Sequence, residues 1–127
     1  LMDAMIPQRF GRIIHISSIQ HDGGSGQANY AASKAGLHGL SRTIAKEYGR
    51  RNVTSNVIVP GFFETDMTRK ALPQEVRDFW KVQVPMPKGR MGELHEMSEV
   101  VSFLASPGGG FINGSVIMVT GGLTWTR

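Results

Sequence analysis

Arg12-Ile13-Ile14-His15-Ile16, Gly23-Gly24-Ser25-Gly26, the alanine-rich run Ala28 to Tyr48, and Val53-Thr54-Ser55-Asn56-Val57-Ile58-Val59 decide the fold class. The first and last segments are short, apolar and rich in β-branched residues, as buried parallel strands are. The glycine cluster marks a loop. The run from 28 to 48 reads as a helix, with Gly49 placed as its C-terminal cap and Arg50 and Arg51 near the negative end of its dipole. Strand, loop, helix and strand in that order imply a βαβ unit, a parallel sheet and right-handed crossovers.

Working outward, residues 1–8 look like the end of an amphipathic helix. Phe62 to Pro87 is mixed, with a short helix expected after Pro73 and breaks at Pro85 and Pro87, and such a stretch after a strand is a candidate lid. Glu96 to Ala105 is apolar on one face, with Ser98 and Glu99 as a polar opening turn. Pro107 to Gly110 is a loop, and Ser115 to Val119 a third strand closed by Gly121-Gly122. The fold class is therefore α/β. A dinucleotide-binding fold is built from two βαβαβ halves, and this chain supplies about one of them. No Gly-x-Gly-x-x-Gly run is present; Gly24-Ser25-Gly26-Gln27-Ala28-Asn29 has asparagine where the third glycine belongs, and reads as a flexible linker.

Composition narrows the function classes. The chain has 127 residues, 14 Lys and Arg against 10 Asp and Glu, and a net charge of +4, which favours an anionic partner. The basic residues are scattered and no aromatic platform accompanies them, so nucleic acid fits poorly, whereas a phosphate-bearing cofactor or an acidic carrier protein has the right sign. Without cysteine there is no disulfide framework, thiolate metal site or cysteine nucleophile, and His15, His21, His38 and His95 share no ligand spacing, so no metal is expected. No apolar stretch approaches the roughly 20 residues that span a bilayer, and the expected setting is soluble and cytoplasmic.

Chemistry concentrates in Gln27-Ala28-Asn29-Tyr30-Ala31-Ala32-Ser33-Lys34-Ala35-Gly36. Tyr30 and Lys34, four apart, project from one face of a helix about one turn from each other. A phenol has a pKa of about 10, and a neighbouring ammonium stabilises its phenolate, which makes a tyrosine usable as a general acid or base. Taken alone, such a pair is usually a half-buried aromatic beside a solvated charge; its place between a strand and a Pro-Gly turn alters that. Ser18, twelve residues before Tyr30, falls at the carboxyl end of the first strand, where open α/β sheets bind ligands, and its hydroxyl can hydrogen-bond a carbonyl.

Ser18, Tyr30-x-x-x-Lys34 and the run Asn56-Val57-Ile58-Val59-Pro60-Gly61-Phe62-Phe63-Glu64-Thr65-Asp66-Met67 together resemble the short-chain dehydrogenase/reductase family, most closely its 3-oxoacyl-acyl-carrier-protein reductases. The resemblance extends through Arg90-Met91-Gly92, Phe103-Leu104-Ala105-Ser106 and Gly121-Gly122. It implies a Rossmann-like, doubly wound parallel sheet of which residues 1–127 are the C-terminal, catalytic-motif half. The family's glycine-rich cofactor loop, its Asn-Asn-Ala-Gly segment and its catalytic asparagine belong upstream; Asn29, Asn52, Asn56 and Asn113 sit in the wrong contexts to replace that asparagine.

The resemblance also implies roles. Tyr30 would be the acid in carbonyl reduction, Lys34 would assist it and bind the nicotinamide ribose, and Ser18 would polarise the carbonyl. Ser17 is the rival for that last role, because the interval to Tyr30 is one residue shorter than in many relatives; Ser18 is preferred. Pro60, Gly61, the backbone of Phe63 and Thr65 would shape the nicotinamide site, although Pro60-Gly61 alone reads equally as an ordinary turn. Arg9 and Arg51 match two carrier-docking arginines. The implied cofactor is NADPH, with NADH not excluded. The implied substrate is a 3-oxoacyl thioester on acyl carrier protein or coenzyme A, and the implied assembly a homo-oligomer, dimer or tetramer. An acetoacetyl-coenzyme A reductase, another alcohol dehydrogenase of the family, and a non-catalytic fragment or oligomerisation module are the alternatives.

Overall fold

The computed structural model describes residues 1–123. Helix α1 (Met2–Gln8) ends at Arg9, whose left-handed backbone (φ 50°) turns the chain into strand β1 (Gly11–Ile16). Helix α2 (Ala28–Tyr48) leads to β2 (Val53–Pro60), and β3 (Val116–Val119) completes a three-stranded sheet in the order β1-β2-β3. Both ladders are parallel, running from Gly11↔Val53 to Ile16↔Ile58 and from Val57↔Val116 to Pro60↔Val119. The central strand is buried from Val53 to Val59, whereas β1, flanked on one side only, leaves Ile16 45% exposed. An apolar strand half open to solvent is unusual for a parallel sheet, which is normally covered.

Helices lie on both faces. Side chains alternate along a strand, and Ser55 faces α2, where its hydroxyl lies 3.1 Å from that of Ser41 and 3.2 Å from His15 Nε2. Arg12 faces the other side, where its Nε donates to the Ser106 carbonyl (3.5 Å) at the end of helix α5 (Leu94–Ala105). Because β1 to β2 and β2 to β3 step across the sheet in one direction with α2 and α5 on opposite faces, the two connections have opposite hands. The expectation of right-handed crossovers throughout is corrected accordingly. The physical cause is the detour after β2: the chain first packs helix α4 (Gln74–Gln83) beside the α2-facing core, with Trp80 stacked on Phe62 (4.7 Å), before passing to the other face. Ile19, Val57, Val59, Val84 and Leu123 form that core.

Gly49 caps α2 as expected, its N–H donating to the Ala45 carbonyl, but in a right-handed conformation (φ −55°, ψ −38°) that continues into a short 3-10 turn, Gly49–Arg51; Asn52 takes the left-handed position (φ 59°). Asparagine tolerates that conformation, and its side chain is held by donating to the Arg9 carbonyl (2.8 Å). Two other local readings change. Helix α5 begins at Leu94 because Glu96 reaches back to accept the Glu93 N–H (2.8 Å), so its polar opening turn is Glu93 to Glu96 and not Ser98-Glu99. The stretch from 62 to 87 holds two helices, α3 (Asp66–Ala71) besides α4, separated at Leu72-Pro73.

The start of β3 is set by side chains. Asn56 donates to the Ile112 carbonyl (2.7 Å) and accepts from Ser115 N–H (3.0 Å), while Asn113 accepts from Ser55 N–H (2.9 Å). The amides add to the first backbone bonds between these segments, Gly114 N–H to Ser55 O (2.8 Å) and Val57 N–H to Ser115 O (2.9 Å). Among the described residues no helix is long and apolar enough to cross a membrane.

Candidate active site

The carboxyl ends of β1 and β2 and the first turns of α2 enclose a cleft of about 420 Å³. Ser17, Ser18, Tyr30 and Lys34 line one side of it, and Pro60, Gly61, Phe63 and Thr65 the other. The position is the one that strand direction favours: loops diverge at the carboxyl edge of a parallel sheet and leave a crevice.

Tyr30 and Lys34 are on one face of α2, with Nζ 5.6 Å from the centre of the phenol ring. Nζ also donates to the Ile16 carbonyl (2.8 Å), tying α2 to the end of β1. An ammonium has three donors, so others remain for a ligand in the cleft. Tyr30 is 40% exposed.

The two serines are in different situations. Ser17 is buried, 3% exposed, with Oγ 3.1 Å from both the Lys34 carbonyl and His38 Nε2. Ser18 is partly exposed; its Oγ accepts the Gln20 N–H (3.2 Å) as the cap of the 3-10 turn Ile19–Asp22. A hydroxyl that accepts from backbone keeps its own proton for another acceptor.

On the opposite wall, glycine at 61 is required by packing. A Cβ there would stand 2.8 Å from Thr120 Cα, so the ends of β2 and β3 converge only because residue 61 has no side chain. Phe63 pairs with Gly92 in a parallel bridge, through Gly92 N–H to Phe62 O (2.8 Å) and Glu64 N–H to Gly92 O (2.9 Å). This pattern turns the peptide groups of Phe63 itself to the other side, where Thr68 Oγ1 donates to the Phe63 carbonyl (3.1 Å). Gly92 is needed for the same contact, since a Cβ would lie 2.6 Å from the Phe63 ring. Thr65 caps α3, its Oγ1 accepting Thr68 N–H (3.1 Å).

Beside the cleft, Arg90 grips Glu96 through two bonds of 2.7 Å. That grip, with the Glu93 N–H behind it, pulls the Glu96 carboxyl down to about 2.

Arg9 and Arg51 are not brought to the cleft. They precede the first residues of β1 and β2, at the amino edge of the sheet. The six residues of β1 separate them from the site, about 20 Å at the usual rise per residue.

A histidine pair beneath Ser17 and Ser18 escaped the sequence reading. His21 and His38 stack at 4.4 Å, and nothing in their spacing of 17 residues signals the contact. Burial, then His21 and Arg42, lower the pKa of His38, and burial lowers that of His15. Among the described residues no group of three or more histidine, aspartate or glutamate side chains could hold a metal ion.

The sequence matches known proteins over nearly all of its length. A family profile described as enoyl-(acyl carrier protein) reductase matches residues 1–124. The chain is 44% identical over 124 residues to the 3-oxoacyl-(acyl-carrier-protein) reductase FabG of Pseudomonas aeruginosa, covering 97% of this chain and 49% of that one. It is 47% identical over 120 residues to the enzyme of the same name from Aquifex aeolicus, covering 94% and 47%. To that of Escherichia coli it is 48% identical over 124 residues, covering 97% and 50%. It therefore spans about half the length of the curated relatives it matches. With a parallel α/β sheet, a carboxyl-edge cleft and a match over nearly all of its residues, the chain belongs to the enoyl-(acyl carrier protein) reductase family of short-chain dehydrogenases/reductases.

Proposed function

We propose that the chain is the C-terminal half of a nicotinamide-dependent ketoreductase that converts a 3-oxoacyl thioester, carried on acyl carrier protein, to the 3-hydroxyacyl form. The observation that carries this reading is the convergence of Ser18, Tyr30 and Lys34 on one cleft. Ser18 donates its free hydroxyl proton to the ketone oxygen and polarises the carbonyl. Tyr30 delivers a proton to that oxygen as it becomes an alkoxide, with the Lys34 cation 5.6 Å from the ring centre.

The residues present suit the nicotinamide-ribose end of a dinucleotide. Lys34 retains donors for ribose hydroxyls, and Phe63 and Thr65 line the same cleft, where they would meet the carboxamide. NADPH is the favoured form, and when bound it supplies the hydride. No glycine-rich phosphate cradle occurs in this sequence. The half-exposed edge of β1 is where the cofactor-binding half of a Rossmann-like domain would add its strands. Residues 1–127 alone are therefore expected to bind dinucleotide weakly and to turn over little; rapid NADPH-dependent reduction by the isolated chain would overturn that half-domain reading.

The test is NADPH oxidation with an acetoacetyl thioester, using the full-length protein that carries this sequence and its Tyr30→Phe variant. Turnover lost in the variant supports the assignment. Turnover retained refutes the role of Tyr30, and no reduction of any 3-oxoacyl thioester favours the assembly-module alternative.

A further inference from the structure

Beneath the two serines lies a polar cluster that the proposed chemistry does not use. Its hydrogen-bond bookkeeping is constrained. Ser17 Oγ has one proton and two partners; the Lys34 carbonyl can only accept, so the arrangement satisfying both sends the serine proton to Lys34 O and has His38 Nε2–H donate to Ser17. His21 has acceptors at both ring nitrogens, the Ser18 carbonyl at 2.7 Å from Nδ1 and the Asp22 carboxylate at 3.1 Å from Nε2. Only the doubly protonated ring donates to both. The two rings stack 4.4 Å apart, and burial disfavours charge on His38.

We propose that His21 and His38 are positioning residues that clamp the Ser17-Ser18 turn and hold Ser18 toward the cleft. The proposal rests on the reading of Ser18 as the carbonyl-polarising residue. The two hold successive residues of the turn: His38 fixes the Ser17 side chain against α2, and His21 fixes the Ser18 carbonyl within the 3-10 turn that Ser18 caps.

Arg42, one turn beyond His38 on α2, and His21 both oppose charge on His38, Asp22 favours it, and burial is the largest influence against it. Lys34, one turn before, directs its Nζ to Ile16 O. His15, two residues before Ser17, turns to Ser55.

The experiment compares the full-length protein with His38→Leu, His38→Gln and His21→Phe in acetoacetyl-thioester reduction from pH 5 to 9. His38→Leu should lower kcat roughly ten- to hundredfold with little change in KM, the penalty of a displaced catalytic group. His38→Gln, whose amide can donate to Ser17, should recover most of that loss. A His38→Leu profile superimposable on the parent overturns the proposal, as does loss in His38→Gln equal to that in His38→Leu. Histidine proton resonances followed by NMR across the same pH range give a readout that needs no turnover. A slowly exchanging His38 Nε2–H resonance, lost in Ser17→Ala, is expected from its bond to Ser17; a freely exchanging one overturns the clamp. Tyr30→Phe in the same assay separates the two ideas, since retained turnover there refutes the reductase reading while the NMR result still decides the pair.

Discussion

The ammonium of Lys34 donates to the carbonyl of Ile16 at 2.8 Å, and this bond joins the helix carrying Tyr30 to the strand end that precedes Ser18. The lysine is thus both a link in the fold and the cation beside the phenol. Lys34→Met should cut kcat roughly 10²- to 10⁴-fold, the usual range for disabling acid–base chemistry. The link itself is a single exposed bond, so the melting temperature should fall by only a few degrees, the response to about 1 kcal/mol. A variant that unfolds, or one that turns over at the parental rate, contradicts this division of labour.

Gly61 and Thr120 make a second test, because the Pro60-Gly61 pair has a plain turn reading beside its proposed place in the nicotinamide site. The turn reading asks only for flexibility at 61, whereas the structure asks for absence of a Cβ, 2.8 Å from backbone that cannot move aside easily. Gly61→Ala should cost about 1–3 kcal/mol, typical of overpacking. Urea denaturation of the full-length variant measures it, and an unchanged midpoint would show that the strands can separate freely.

Asn56 is the clearest case of a residue whose role sequence could exclude but not supply. Its context argues against the family's catalytic asparagine, yet only the folded chain shows it bonding both Ile112 O and Ser115 N–H. Asn56→Ala leaves a partly buried carbonyl and a partly buried N–H without these side-chain partners and should destabilise by roughly 1–3 kcal/mol. A loss below about 0.5 kcal/mol by chemical denaturation would mean that other groups, or water, replace the amide.

The elements legible in the sequence are those encoded by local composition. The apolar β-branched runs gave all three strands, and the alanine-rich run gave α2 at Ala28–Tyr48. Helix α3 was missed because Thr65-x-x-Thr68 caps it with a second threonine in place of the usual acidic partner, and its six residues are too few to show a period. The early start of α5 depends on a carboxylate folding back, and the hand of the second connection on where α4 packs. Neither leaves a local signal. In the site, Tyr30 and Lys34 are neighbours by helix geometry alone, but His21 meets His38 and Ser17 meets His38 only through tertiary structure.

The pair Arg90 and Glu96 predicts an acid limb in stability. Glu96 is held at about 2 in the folded protein against an ordinary value of 4.5. As pH falls the unfolded chain therefore takes up this proton first, so the stabilisation is complete above about 4.5 and disappears between there and about 2. His15 and His38 act in a higher window. Their lowered values mean that the unfolded chain protonates first below 6.5, so they too weaken the fold as pH falls, but sooner. Glu96→Gln should flatten the urea midpoint between pH 2 and 4.5 and leave the slope near pH 6 unchanged. A parental slope in the lower window would remove Glu96 as its source.

Arg9 and Arg51 carry the last prediction, and their placement sharpens it. They stand together at the amino edge of the sheet, where Asn52, next to Arg51, bonds the Arg9 carbonyl, and the cleft opens at the carboxyl edge. Their charge can hold an acidic carrier without touching the reacting groups. Reversal by Arg9→Glu with Arg51→Glu should therefore raise KM about tenfold or more for a carrier-linked 3-oxoacyl substrate at low salt and leave kcat unchanged, as loss of uniform binding does. The same variant should reduce a small acetoacetyl thioester at the parental rate, and added salt should shrink the difference on the carrier-linked substrate. Equal losses on both substrates would show that the reversal damages the fold, and no loss on either would show that the two arginines are only solvated charge.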